Sequence, residues 1–360
     1  MKKINVNLEK IIDKTILFVL IAQIIFIMCM NLFRTYTIID FDSSSAYLHE
    51  MEMGSQGKLF PSEYSYQATL DLDSASILSA FLYHFTGNIY LARGISNNFV
   101  VLLYIFVVHC ILRNLELSVR WKRFCLLLFL IPYSMTMLGY CRMLFCGGGF
   151  YAFRALVPLL VISLLLDFDK KKAFKSYAFR AIFLLFIVFL TGLSSGAYVV
   201  MTAVFPLLLW EFFNAFLKGN YNQLKSKRSG LGIVLVFAAL IGLLVQKAVG
   251  FSSTADIKFI LVSKKWYDAV LSSIAGLFEL FGGLTVHEQV KLFSFEAIGT
   301  AVDFVVTCIF IFSIVYTFVK CIKKKEMSNM QGYIFSLMLV NAFVFSFLDL
   351  KYGDTAFESR

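Results

Sequence analysis

The chain lacks the signatures of most soluble enzymes. It has no C-x-x-C pair, so neither a thiol redox motif nor a paired-cysteine zinc ribbon is encoded. Its four histidines, His49, His84, His109 and His287, never form H-E-x-x-H, which excludes the usual zinc-protease helix. Walker A, G-x-S-x-G and protein-kinase strings are absent too. No internal repeat or low-complexity tract occurs. Only 16% of the 360 residues are charged, while 59% are apolar and 17% aromatic. That apolar excess sits in long blocks, beyond what soluble domains carry.

The composition is that of a polytopic α-helical membrane protein. The net charge of +10 would suggest a nucleic-acid partner only if the positives formed one solvated face. They gather instead in short connections between apolar blocks, so no nucleic-acid partner is expected. Of the seven cysteines, most lie inside or beside apolar blocks and act as small hydrophobes. Cys141 and Cys146 could pair on an oxidising side, but free thiols are the expectation.

Blocks long enough to span a membrane occur at 15–38, 97–113, 122–140, 149–167, 180–196, 197–217, 231–250, 297–319 and 331–348. The first follows Lys2, Lys3, Lys10 and Lys14 without a small-x-small cleavage site and reads as an uncleaved signal anchor. The stretch 180–217 is too long for one helix, and LSSG at 193–196 is a turn within it. With the N-terminus cytoplasmic, the N-terminal segment and the connections 113–123, 167–180, 218–228 and 320–326 hold 21 of the 33 Lys and Arg. Nine spans satisfy the positive-inside rule, and one more or fewer would break the alternation.

Two large loops then lie outside, within a single transmembrane domain spanning 1–360. The first, 36–96, carries Asp40, Asp42, Glu50, Glu52, Glu63, Asp71 and Asp73 against Lys58 and Arg93. Within it ASILSAFLYHF (75–85) is apolar but too short to span, and is expected at the membrane interface. The second, 251–296, contains WYDAVLSSIAGLFELFGGL (266–284), which reads as an interfacial or re-entrant helix.

Carboxylates beside hydrocarbon are costly, so Asp40 and Asp42 need a reason. One of them can cap a helix over about 44–55 by accepting from its orphan N–H groups. Capping does not readily explain both. Two carboxylates two residues apart at the end of a span can sit in a partly desolvated cleft, where a carboxylate serves as a base or a metal ligand. Arg142 and Arg154 flank the Gly-rich CGGGFYAFR (146–154), Arg93 closes the first loop and Arg360 ends the chain. Singly, such arginines snorkel to lipid phosphates. Several on one face could grip a phosphate or diphosphate. His84 and His109 read as packing or interfacial residues.

Taken together, IDFDSSSAYLHE after the first span, then MGSQGKLFPSEYSY, then FTGNIYLARGISN, resemble bacterial membrane glycosyltransferases of the GT-C fold. GLSSG-x-Y-x₆-FPLLL (192–209) and the closing DTAFESR are similar to segments of the same group. In many such relatives another helix follows the last string, so further helices are expected after 360. The resemblance implies a sugar donor carried on polyprenyl phosphate and a glycan or lipid acceptor, handled at the extracytoplasmic face in envelope assembly. It places the catalytic acid at Asp42, or at Asp40. Some members hold a divalent cation such as magnesium or manganese, and Asp42 and Glu279 are the acidic candidates for it. The basic residue such relatives carry near position 197 is here Ala197, which leaves a phosphate contact at that point without support. The alternatives are a transporter or flippase for a lipid-linked glycan, and a non-catalytic membrane component of envelope assembly. Charges avoid the centres of the expected spans, with Arg154, Glu211 and Asp303 near span ends, which favours chemistry at the membrane face over transport.

Overall fold

The structure, a computed structural model, describes residues 2–37, 39, 41–61, 70, 72, 74–115, 117–131, 144–145, 149–166, 174–248, 271, 274–275, 278, 291, 293–324 and 328–352. At 2–8, 41–42, 149–154, 174–176, 342–352 and a few single positions only the backbone is described. The second large loop, including 266–284, falls almost wholly outside these residues, as do Cys141 and Cys146.

Among the described residues the regular structure is entirely helical. Six helical stretches are long and apolar enough to cross a membrane, consistent with an α-helical polytopic membrane protein. They are Glu9–Phe33, Ile89–Asn114, Tyr177–Ser195, Val200–Lys218, Lys227–Ala248 and Ala297–Lys320. Each coincides with one of the nine apolar blocks. The chain divides into two compact units.

The first unit contains α1 (Lys2–Phe33), α2 (Phe41–Gln56), α3 (Ser76–Thr86), α4 (Ile89–Asn114), α5 (Val119–Leu130) and α6 (Gly149–Leu166). Sequence chemistry sets several of these ends. Gly87 closes α3 at φ 60°, in the left-handed region glycine tolerates, and its N–H donates to Tyr83 O at 2.8 Å. Asn88 then caps α4, its side chain accepting from Leu91 N at 3.1 Å. The apolar block at 122–140 begins as α5 but its helix stops at Leu130. Ile131 precedes Pro132 and is extended (φ −114°, ψ 148°), because the proline ring crowds the residue before it out of the helical region. Gln23 of α1 reaches across to donate to the Leu130 carbonyl at 2.7 Å, satisfying one of the acceptors that helix end leaves open.

Helix α4 is the centre of this unit, packing against α1, α3 and α6. It approaches α1 closely at Gly94, where a Cβ would stand 2.3 Å from the Asn31 carbonyl oxygen. Helices α1 and α5 are joined at one end by Arg120, whose Nε donates to Asp13 Oδ1 at 2.5 Å.

The second unit contains α7 (Phe174–Ser195), α8 (Phe205–Lys218), α9 (Lys227–Ala248), α10 (Phe295–Lys324) and α11 (Asn329–Tyr352). The break expected at LSSG is present: α7 ends at Ser195 and Gly196 takes φ 81°. A π-turn at Val200–Val204 leads into α8. Helices α7 and α9 are pressed together through glycines. A Cβ on Gly192 would lie 2.4 Å from Ala239 O, and one on Gly242 would lie 2.4 Å from Phe189 O. This is the small-residue contact by which membrane helices gain van der Waals energy where lipid supplies no hydrophobic drive. Gln246 of α9 donates to Ser194 O at 3.2 Å, beside the broken end of α7. Arg228, one of the basic residues counted in the 218–228 connection, is buried and paired with Glu211 of α8, its Nε donating to Oε1 at 2.7 Å. Tyr333 of α11 donates to Ala203 O at 2.8 Å inside the same unit.

Candidate functional site

The acidic first loop folds into a layer on α4. Helix α2 packs on α3, and α3 on α4. Gly54 permits the first contact, since a Cβ there would stand 2.6 Å from Ala80 O. His84 Nδ1 meets Gly54 O at 2.8 Å and ties the same two helices.

At the centre of the layer lies Glu50, fully buried. Its Oε2 accepts from Ser79 Oγ at 2.6 Å. Its Oε1 accepts from Ser76 Oγ at 2.9 Å and from Arg93 Nη1. Ser76 and Ser79 are three residues apart and so share a face of α3. Tyr47 and Glu50 have the same spacing on α2, and both meet Arg93: its guanidinium lies 5.4 Å from the Tyr47 ring centroid. Tyr90 of α4 packs edge-on against Tyr47 at 6.3 Å. Arg93 is itself fully buried. Both oxygens of this carboxylate are thus taken up by donors from α3 and α4. Glu50 is therefore built as a clamp, drawing three helices onto one side chain.

His49, the next residue along α2, is 1% exposed. Burial holds its imidazole down to about 4, so it is neutral near pH 7.

A second polar cluster joins α1 to α4. Asn31 Nδ2 donates to Asn98 Oδ1 at 3.0 Å and to Leu144 O at 3.1 Å. Asn98 Nδ2 donates to Met28 O at 3.1 Å, and Asn97 Nδ2 to Phe145 O at 2.7 Å. These asparagines hold the two residues that lead into the CGGG run. Thr35, just past α1, donates to Asn31 O at 2.7 Å.

Of the candidate residues, Asp42 lies in the first turn of α2 and Arg154 in the second turn of α6, both with backbone alone described. Asp40, Arg142, Glu279 and Arg360 fall outside the described residues. Arg93 is the candidate whose side chain is described, and it neither snorkels nor reaches solvent but pairs with Glu50. Among the described residues no group of three or more His, Cys, Asp and Glu could hold a metal ion, and the side chains of the two acidic metal candidates, Asp42 and Glu279, lie outside them.

Glu50, Ser76, Ser79 and Tyr47 were not legible as partners from the chain alone. The i, i+3 pairs Tyr47/Glu50 and Ser76/Ser79 were the available signal, but spacing does not say which faces meet. Compared with family models, curated proteins and solved structures, the chain matches none of them.

Proposed function

We propose that the chain is a membrane glycosyltransferase that moves a sugar from a polyprenyl-phosphate donor to a glycan or lipid acceptor at the extracytoplasmic face. The proposed frame is GT-C-like, with nine spans and a cytoplasmic N-terminus, as the basic connections favour. Asp42 is the proposed base, with Asp40 as the alternative at the same loop position. The acceptor hydroxyl gives its proton to the carboxylate as its oxygen bonds to the anomeric carbon. The bond from that carbon to the phosphate oxygen breaks, and the lipid phosphate leaves with the electron pair.

The supporting observation is the clamp at Glu50. A chemical role for Asp42 needs α2 held rigidly, since a reacting group misplaced by about 1 Å can cost two orders of magnitude in rate. Glu50 is eight residues along the same helix and is anchored to α3 and α4 by Ser76, Ser79 and Arg93.

The test is Asp42→Asn in full-length protein, assayed for sugar transfer from a panel of polyprenyl-phosphate sugars. Loss of transfer with the fold intact is expected. Transfer at the wild-type rate by both Asp42→Asn and Asp40→Asn would remove the proposal.

A further inference from the structure

Helix α3 has the reverse of the polarity that water would select. Its buried face holds Ser76, Ser79 and Ala80. Ile77, Phe81 and Phe85, spaced four apart on the other face, are exposed, Phe81 at 59% and Phe85 at 70%. A helix facing water turns its polar residues outward. An exposed apolar patch marks a membrane or a partner.

Helix α4 continues the pattern. Ile95, Phe99, Leu102 and Phe106 make an exposed stripe along one face of a helix long enough to cross a membrane. The α3 and α4 stripes meet in an open groove of about 400 Å³, lined by Leu72, Ile77, Leu78, Phe81, Phe99 and Val100. Among the described lining residues Ser74 alone carries a polar side chain, and its Oγ accepts from Ser76 N at 3.1 Å.

We propose that this groove seats one acyl chain of a bilayer phospholipid, which wedges α3 into the leaflet beside α4. The occupant follows from continuity. The groove opens on the stripe that a spanning α4 turns to lipid, so the bilayer is the medium already at its mouth. The carbon walls suit a hydrocarbon chain and offer no cation to a headgroup. A chain lying there would cover Phe81 and Phe99, the two exposed rings on the groove wall. The inference rests on the membrane character of α4 and not on the transferase reading, so either can fail alone.

The experiment uses wild-type, full-length protein in vesicles of phosphatidylcholine that carries a photoreactive diazirine midway along one acyl chain. After irradiation, adducts are mapped by peptide mass spectrometry. Adducts at 72–81 and 99–100 are expected several-fold above those at Phe312 and Tyr316, exposed residues on the apolar helix α10. Equal labelling at the two places overturns the proposal. Phe81→Cys and Phe85→Cys provide a second measurement, with a membrane-impermeant maleimide and both vesicle faces accessible. Protection that is lost on delipidation supports the chain seat. Rapid labelling in intact vesicles, or cross-links from these positions to a second protein chain, overturns it.

Discussion

Glu50 and Arg93 stand 43 residues apart in sequence and meet with both side chains fully buried. Water cannot solvate either charge once its partner is removed. Deleting one member of a buried pair typically costs about 3–5 kcal/mol, whereas replacing both by apolar groups of similar volume is often tolerated. Arg93→Met and Glu50→Leu are therefore each expected to lower unfolding stability in detergent by several kcal/mol, and the double variant by less than their sum. Thermal unfolding of all four proteins gives the coupling, and strict additivity would exclude the clamp.

Ser79→Ala should be milder. It removes a single donor to Glu50 Oε2, with the remaining donors of Oε1 still in place. A hydrogen bond to a charged group contributes about 1.5–3 kcal/mol. A loss in that range, abolished when Glu50 is already Leu, is the expected result of the same unfolding assay.

The pH response of the α2 layer should carry the mark of His49. Its imidazole titrates at about 4 in the fold against 6.5 when free of it. Between those values the unfolded chain binds more protons than the folded one, so stability is full above pH 6.5 and falls as pH drops towards 4. His49→Leu should flatten that part of the curve of unfolding temperature against pH. An unchanged slope would mean that other groups set it.

Glycine contacts in the second unit give a sharp contrast. Replacing glycine by alanine in the middle of a helix ordinarily stabilises it by up to about 1 kcal/mol. Gly299 of α10 has no atom within 4 Å of a new Cβ, so Gly299→Ala is expected to be neutral or stabilising. Gly192→Ala should destabilise, since its methyl would strike the Ala239 backbone of α9. Two unfolding curves decide it, and equal effects would argue against the tight α7–α9 crossing.

Asn31→Leu should weaken the junction of α1 and α4. It leaves Leu144 O and Asn98 Oδ1 without the donor that now serves them, at about 1–3 kcal/mol for each buried group left unsatisfied. Hydrogen exchange of α4 amides is the measurement, with faster exchange around Asn98 expected.

Most of the helices were legible in the chain because a membrane constrains sequence strongly. Backbone polar groups cannot stay bare in hydrocarbon, so about twenty apolar residues in a row almost dictate a helix. Among the described residues six stretches, each within or overlapping one of the nine blocks, are helices long and apolar enough to span. Local chemistry also placed the break at LSSG, where Gly196 takes the positive φ its missing Cβ allows. The end of α5 at Leu130 was equally local, since Pro132 acts on its neighbour, though block length alone ran past it to 140.

The partnership at the candidate site was not written in any local pattern. The sequence by itself determined that carboxylates gather in the loop at 36–96, that Arg93 closes it, and that a short apolar helix lies between them. Only the tertiary structure decided that Glu50 takes Arg93, that Ser76 and Ser79 turn inward, and that the phenylalanines of α3 turn out. Helical periodicity names the residues that share a face but not the face that a neighbouring helix covers. That choice is made by close packing, here at Gly54 against Ala80, which sets α2 near enough to α3 for the buried Glu50 carboxylate to reach Ser76 and Ser79.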